Sequence, residues 1–240
     1  MVRGSIVTLA CLFRESPDFL GESTIVLDTI PDSMSETFAL LVSGASGMSL
    51  PQALLGALAR HPDVERVHLV VSAGASQVLK HELARDKTGA EDLIDAAGLG
   101  ENERERITVH RDSELDAAIA SGSYRLSGTA IVPCSAGTLG ALATGSARTL
   151  VHRVGAVALK ERWPLVVGFR ETPLSIVHLE NLRRLAYAGA VILPPMPAFY
   201  IGDSSMDRFL AHYSMRVMDR LGLAAVDSGD LRWPTSGTPS

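Results

Sequence analysis

The sequence is short of aromatic residues, of excess basic charge and of cysteine, and each shortage closes off a class of function. Aromatics make up 5% of the 240 residues, so a flat ligand must be held mostly by backbone and small polar groups. Lys and Arg number 22 against 27 Asp and Glu, a formal net charge of −5. Nucleic acid and anionic membranes both attract basic surfaces, so neither is expected as a partner. Cys11 and Cys134 are the only cysteines, too few for a disulfide framework or a zinc site, and a reducing compartment, the cytoplasm, is the expectation. No apolar run approaches the roughly 18 residues that a membrane-spanning helix needs. The composition is otherwise that of a globular chain, 46% hydrophobic and 20% charged, and the length suits one α/β domain.

Residues 1–37 stand apart. Ile6 to Phe13 is apolar and follows Arg3, but Arg14-Glu15-Ser16-Pro17-Asp18 stands where a signal-peptide cleavage site would lie. Six acids against two bases in this stretch argue against an organelle transit signal as well. It reads as an N-terminal extension with no assigned chemistry.

From residue 38 strands and helices alternate. Phe38–Val42, Arg66–Val71, Ile107–Val109, Thr129–Val132, Leu165–Phe169 and Ala190–Leu193 read as strands, the apolar ones buried on both faces. Helices are expected over Ser49–Arg60, 76–85, within 86–106, over Asp112–Ala120, 138–145, 149–161, from Pro173 to Ala188 and over Ser204–Leu221. The pattern predicts a three-layer, doubly wound α/β domain over 38–223. Its sheet is mostly parallel, Rossmann-like or flavodoxin-like, and a mobile Ser-, Gly- and Pro-rich tail covers 224–240.

In such a sheet ligands bind at the carboxyl ends of the strands, where helix N-termini present free N–H groups. Those ends carry Ser43-Gly44-Ala45-Ser46-Gly47, Ser72, and Cys134-Ser135-Ala136-Gly137-Thr138. These small residues suit phosphate and the polar edge of a flat ring, and they equally make ordinary turns and helix caps. Neither a G-x-G-x-x-G dinucleotide fingerprint nor a G-x-x-x-x-G-K-[ST] loop is present. His178-Leu179-Glu180 and Pro133-Cys134 are out of order for a zinc deaminase, and the remaining histidines show no ligand spacing, so no metal is expected. Arg153 and Lys160, seven apart, share one helix face. Arg170 and Glu171 follow a strand, Tyr200 follows a Pro-stiffened loop, and Arg216 lies on the last helix. Taken as residue types, these could form solvated faces and ion pairs or a phosphate grip with a base beside it.

Several strings, in this order, resemble the flavin prenyltransferase (UbiX-type) family. They are Ser43-Gly-Ala-Ser-Gly47, Ala120-Ser-Gly-Ser123, Pro133-Cys-Ser-Ala-Gly-Thr-Leu139, Leu159-Lys-Glu-Arg162, Arg170-Glu-Thr-Pro-Leu174 and Pro194-Pro-Met-Pro-Ala-Phe-Tyr200. The resemblance covers about 38–222 and Arg232-Trp233, and 1–37 has no counterpart in it. It implies an enzyme that joins a dimethylallyl group from dimethylallyl monophosphate to N5 and C6 of reduced FMN. The product, prenylated FMN, would serve a UbiD-type decarboxylase. It further implies that Gly44, Ala45, Ser46, Ser72, Ser135, Ala136, Gly137, Thr138 and Arg170 hold the flavin, with Ser46 and Lys160 also in the catalytic set. Lys160, Tyr200 and Arg216 would grip the donor phosphate, Arg153 would do so across a subunit contact in a homo-oligomer, a dodecamer, and Glu171 would act as acid and base. An Asp-rich cluster for Mg²⁺ and diphosphate is missing, consistent with a monophosphate donor and no metal. Leu115 replaces an aromatic found in some relatives, and Ala136-Gly137 are smaller than the Met-Lys pair of many. Two alternatives are an FMN-dependent cysteine decarboxylase, whose relatives use a His and an Asn-rich loop that this chain lacks, and a non-catalytic flavin carrier.

Overall fold

Alternation within the strands sets the architecture. The computed structural model describes residues 36–82, 89–202, 205–224 and 229–233. In β1 (Glu36–Val42), Phe38, Leu40 and Val42 enter one core and Ala39 and Leu41 the other, as a strand with period two and helices on both faces requires. The same split divides Val166 from Leu165, Val167 and Phe169 in β5 (Leu165–Phe169).

Six strands form one sheet in the order β3-β2-β1-β4-β5-β6, every neighbouring pair parallel. The others are β2 (Val64–Val71), β3 (Ile107–Arg111), β4 (Gly128–Cys134) and β6 (Val191–Ile192). This is the Rossmann order rather than the flavodoxin one. Helices α1 (Ser49–Arg60), α2 (Ala73–Glu82), α3 (Ala90–Ala96) and α8 (Met206–Leu221) cover the face that Phe38 enters. Helices α5 (Ala136–Ala143), α6 (Leu150–Glu161) and α7 (Ile176–Tyr187) cover the other. A short α4 (Glu101–Glu105) precedes β3. Right-handed crossovers explain the segregation, because the chain winds one way from β1 to β3 and the opposite way from β4 to β6. The strand order therefore reverses between β1 and β4.

The expected strands and most helices form. The expected helix over Asp112–Ala120 does not; only a 3-10 turn at Ala118–Ala120 is present. Asp112 is committed elsewhere: its carbonyl accepts the Leu150 N–H at 2.7 Å and its carboxylate the Val151 N–H at 2.9 Å, which caps α6. Within the turn itself only Ile119 and Ala120 are buried, too narrow an apolar face to sustain a helix. The first strand also takes in Glu36 and Thr37, while the rest of the N-terminal extension lies outside the described residues. Of the tail, Gly229–Leu231 forms a 3-10 turn and Arg232 pairs with Asp219 of α8 at 2.7 Å. Residues 225–228 and 234–240 are outside the described set.

Candidate active site

The reversal point between β1 and β4 is where a crevice must open, and one side chain ties it together. Their ladder ends at Leu41 and Ile131. Beyond it Pro133, which has no N–H to donate, presents its carbonyl to Ser43 N at 3.2 Å and Ser43 Oγ at 3.0 Å. The same hydroxyl accepts the Ser135 N–H at 2.8 Å. Ser43 is thus a buried staple joining the two turns, a role that its residue type alone did not distinguish from lining a ligand.

The first turn is shaped by close backbone approach. A Cβ on Gly44 would stand 2.8 Å from the carbonyl carbon of Gly74 at the start of α2. Gly47 holds φ at +104°, a conformation open to glycine at little cost. Ser72 and Ser135 both cap helices: Ser72 Oγ accepts the Ala75 N–H at 3.1 Å, and Ser135 Oγ the Thr138 N–H at 3.3 Å. Capping and ligand lining do not conflict here. The first N–H groups of a helix have no partner inside it, and Ser135 takes that of Thr138. Ala136 and Gly137, the first two residues of α5, line the crevice.

Gly44, Ala45, Ser46, Ser135, Ala136, Gly137, Arg170 and Glu171 line one cavity of about 380 Å³. Arg170 is carried there by β5, its N–H donating to the Cys134 carbonyl at 3.2 Å. Glu171 is exposed, with Oε1 accepting the Thr172 N–H at 3.0 Å. The cavity therefore combines small side chains, helix N–H groups, one guanidinium and one carboxylate, a lining suited to a flat polar ring system with an anionic tail. No group of three or more His, Cys, Asp or Glu that could hold a metal occurs among the described residues. A larger apolar groove of about 800 Å³ runs between α1 and α8 and contains none of these side chains.

A residue beside the site that was missed in the sequence is Glu82, at the end of α2. Its carboxylate accepts Gly47 N with both oxygens at 3.0 Å and Met48 N at 2.7 Å, against the N-terminus of α1. Burial pushes this carboxyl up, but the Met48 N–H, the Ser46 hydroxyl, the Gly47 N–H and the charge of Arg170 outweigh it and hold it below the usual range. Contact over 35 residues of sequence leaves no periodic trace.

The other cations do not line that cavity. Lys160 lies in the last turn of α6, beside Gly122 and paired with Glu161. Since α6 feeds the start of β5 and Arg170 follows its end, the two stand toward opposite ends of a strand about 13 Å long at ~3.3 Å per residue. Arg153, two turns away on the same face of α6, donates Nε–H to the Ala120 carbonyl at 2.9 Å. It lines a second cavity, of about 410 Å³, with Leu115, Ala120 and Ser121. The loop bearing Ser121–Ser123 is anchored by Tyr124, whose hydroxyl is 2.9 Å from His68 Nε2. Tyr200, in a 3-10 turn (Phe199–Ile201), meets His212 of α8 at 3.0 Å, and Arg216 stands one turn further along that helix.

Comparison with known proteins identifies the family. A family model described as Flavoprotein matches residues 31–213. The chain is 43% identical over 192 residues to the flavin prenyltransferase UbiX of Deinococcus radiodurans, covering 80% of this chain and 90% of the relative. It resembles the crystal structure of AnUbiX (PadA1) in complex with FMN and dimethylallyl pyrophosphate, with a TM-score of 0.73 and 36% identity, over 85% of this chain and 100% of that one. It is also similar to a dodecameric FMN-dependent UbiX-like decarboxylase from Escherichia coli O157:H7, with a TM-score of 0.69 and 37% identity, over 78% and 95% of the two chains.

Proposed function

This chain belongs to the UbiX-type flavin prenyltransferases of the flavoprotein family, and from that premise we propose that it transfers a dimethylallyl group from dimethylallyl monophosphate to N5 and C6 of reduced FMN. The observation that carries the reading is the crevice between β1 and β4, which joins a small-residue lining with Arg170 and Glu171 in one cavity. Gly44, Ala45, Ser46, Ser72, Ser135, Ala136, Gly137, Thr138 and Arg170 hold FMN, the backbone N–H groups and the guanidinium meeting its polar and anionic parts. Reduced FMN supplies the nucleophile when bound. Ser46 and Glu82 fix the polar rim over the N-terminus of α1.

Departure of phosphate from the allylic carbon leaves positive charge on the allyl group and negative charge on the leaving group. Fixed cations stabilise the latter. Tyr200 and Arg216 supply part of that grip, and Lys160 and Arg153 the remainder. Because both α6 cations lie away from the Arg170–Glu171 cavity of their own chain, they serve the cavity of another copy. A homo-oligomer, a dodecamer in our reading, completes each site. Holding donor and flavin together lowers the barrier by orientation, and Glu171 removes the proton released when the second bond closes at C6. Prenylated FMN then passes to a UbiD-type decarboxylase. Cys134 is a buried thiol, pushed up to about 12 by burial. No histidine lines the cavity, where a cysteine decarboxylase would need one, and a passive carrier has no use for a base beside a phosphate grip.

Anaerobic incubation with reduced FMN and dimethylallyl monophosphate, followed by mass spectrometry of the extracted flavin, tests the reading. A gain of one C5H8 unit is expected; unmodified flavin released from folded protein contradicts it. The diphosphate donor in a parallel reaction tests the choice of monophosphate.

A further inference from the structure

Tyr200 can serve a phosphate only if its proton points toward it, and its neighbour decides that. The Tyr200 hydroxyl lies 3.0 Å from His212 Nε2. The rings meet edge to face, 5.8 Å apart at 86°, and Trp233 meets Tyr200 in the same manner at 5.1 Å and 69°. The phenol is therefore fixed from two directions, while its own side chain remains 41% exposed.

His212 is 6% exposed, and its Nδ1 is buried with no hydrogen-bond partner. A neutral imidazole has one donor and one acceptor nitrogen, so the two tautomers differ in what they leave unpaired. With the proton on Nδ1, a buried N–H is orphaned and Tyr200 must donate inward to Nε2. With the proton on Nε2, only a lone pair is orphaned, and the N–H is satisfied by the Tyr200 oxygen. Orphaned buried N–H groups are rarer in proteins than under-used acceptors. Double protonation is opposed by burial first and then by the charge of Arg216, although Asp219 pulls the other way.

On the prenyl-transfer reading above, we propose that His212 is a positioning residue that donates its Nε2–H to the Tyr200 oxygen and so turns the phenolic proton outward, toward the phosphate of the prenyl donor. A hydroxyl that accepts one hydrogen bond donates a stronger one, so the pair acts as a relay of polarisation without transferring a proton. His212 and Arg216, four residues apart on α8, then deliver two donors to one anion, one through Tyr200 and one directly.

The test uses the full-length protein. His212→Phe keeps the ring volume without a donor, and His212→Gln keeps an N–H within reach of Tyr200. We expect His212→Phe to raise KM for dimethylallyl monophosphate by about tenfold with FMN affinity unchanged, and His212→Gln to stay within about twofold of wild type. In a Tyr200→Phe background His212→Phe should add no further loss, a coupling that a merely structural role does not produce. An equal loss in that background, or Gln as damaging as Phe, overturns the assignment. The tautomer is read independently in wild-type protein by nitrogen NMR of labelled histidine, with His212→Gln identifying the signal. A protonated Nε2 with a bare Nδ1 supports the proposal, and the opposite pattern overturns it. Wild-type protein that forms no prenylated flavin sinks the prenyl-transfer reading instead, and the tautomer still decides the orientation of the Tyr200–His212 bond.

Discussion

Glu171 and Glu82 are both carboxylates beside the cavity at the β1–β4 crevice, but their surroundings give them different work. Glu171 is exposed and, among the described residues, accepts only the next residue's N–H, which leaves the carboxylate accessible for the proposed role as base. Replacing it by Gln is expected to keep FMN affinity within about twofold while lowering ring closure by about a hundredfold or more, measured by product mass against time. Glu82 is held as an anion by two backbone N–H groups. Its carboxyl lies below the usual range, so it binds its proton later than in the unfolded chain as pH falls. Its contribution to stability is full above the unfolded pKa and is lost as pH drops through the lowered value. Glu82→Gln should therefore flatten the acid limb of a urea-midpoint profile, and an unchanged limb would remove that role. At this scale the sequence was legible where the backbone restricts residue type. The Ser and Gly turns could be located because strand-to-helix turns at a ligand site admit few other residues. Glu82 could not be located, because its partners lie across a βα unit.

The helix expected over Asp112–Ala120 shows what periodicity leaves out. The local pattern favoured a helix, but Asp112 is worth more as the cap of α6, where it satisfies two N–H groups that begin that helix. Asp112→Ala removes the carboxylate partner of Val151 and should cost about 1 kcal/mol, read as a fall in Tm of roughly 2–4 °C for a chain of this size. Because α6 carries Arg153 and Lys160, donor use should weaken along with stability, and FMN affinity should not. The strands were readable as continuous apolar runs, and helix α1 was readable to the residue from its apolar face and the His61-Pro62 stop. The order of the strands was not readable. It is set by which way each crossover turns, and the same run of elements fits the Rossmann and flavodoxin orders.

For the whole molecule, one exposed apolar surface among the described residues is on α7. Leu185 is its only buried residue, while Leu174 before it and Ile176, Val177, Leu179 and Tyr187 along it are exposed, Ile176 by 71%. An apolar face of this kind marks an interaction surface, and the proposed sharing of cations between copies calls for one. The double variant Ile176→Glu/Val177→Glu should give smaller assemblies by light scattering, with native circular dichroism and little prenyl transfer; full-sized, active assemblies would remove α7 from the contact. The formal charge of −5 is a poor guide at this scale too, since on the proposed reading Arg153 and Lys160 of one copy join Arg170 and Arg216 of another where charge develops in the reaction. On the proposed reading, one copy supplies Glu171 and the cavity it lines while another supplies Lys160. The most direct test of that claim is product formation by mixed assemblies of Lys160→Ala and Glu171→Gln chains. Each variant alone should be nearly inactive, and co-assembly should restore the C5H8-extended flavin because some sites then draw both intact residues from different chains. Mixed assemblies as inactive as their parents would contradict the claim.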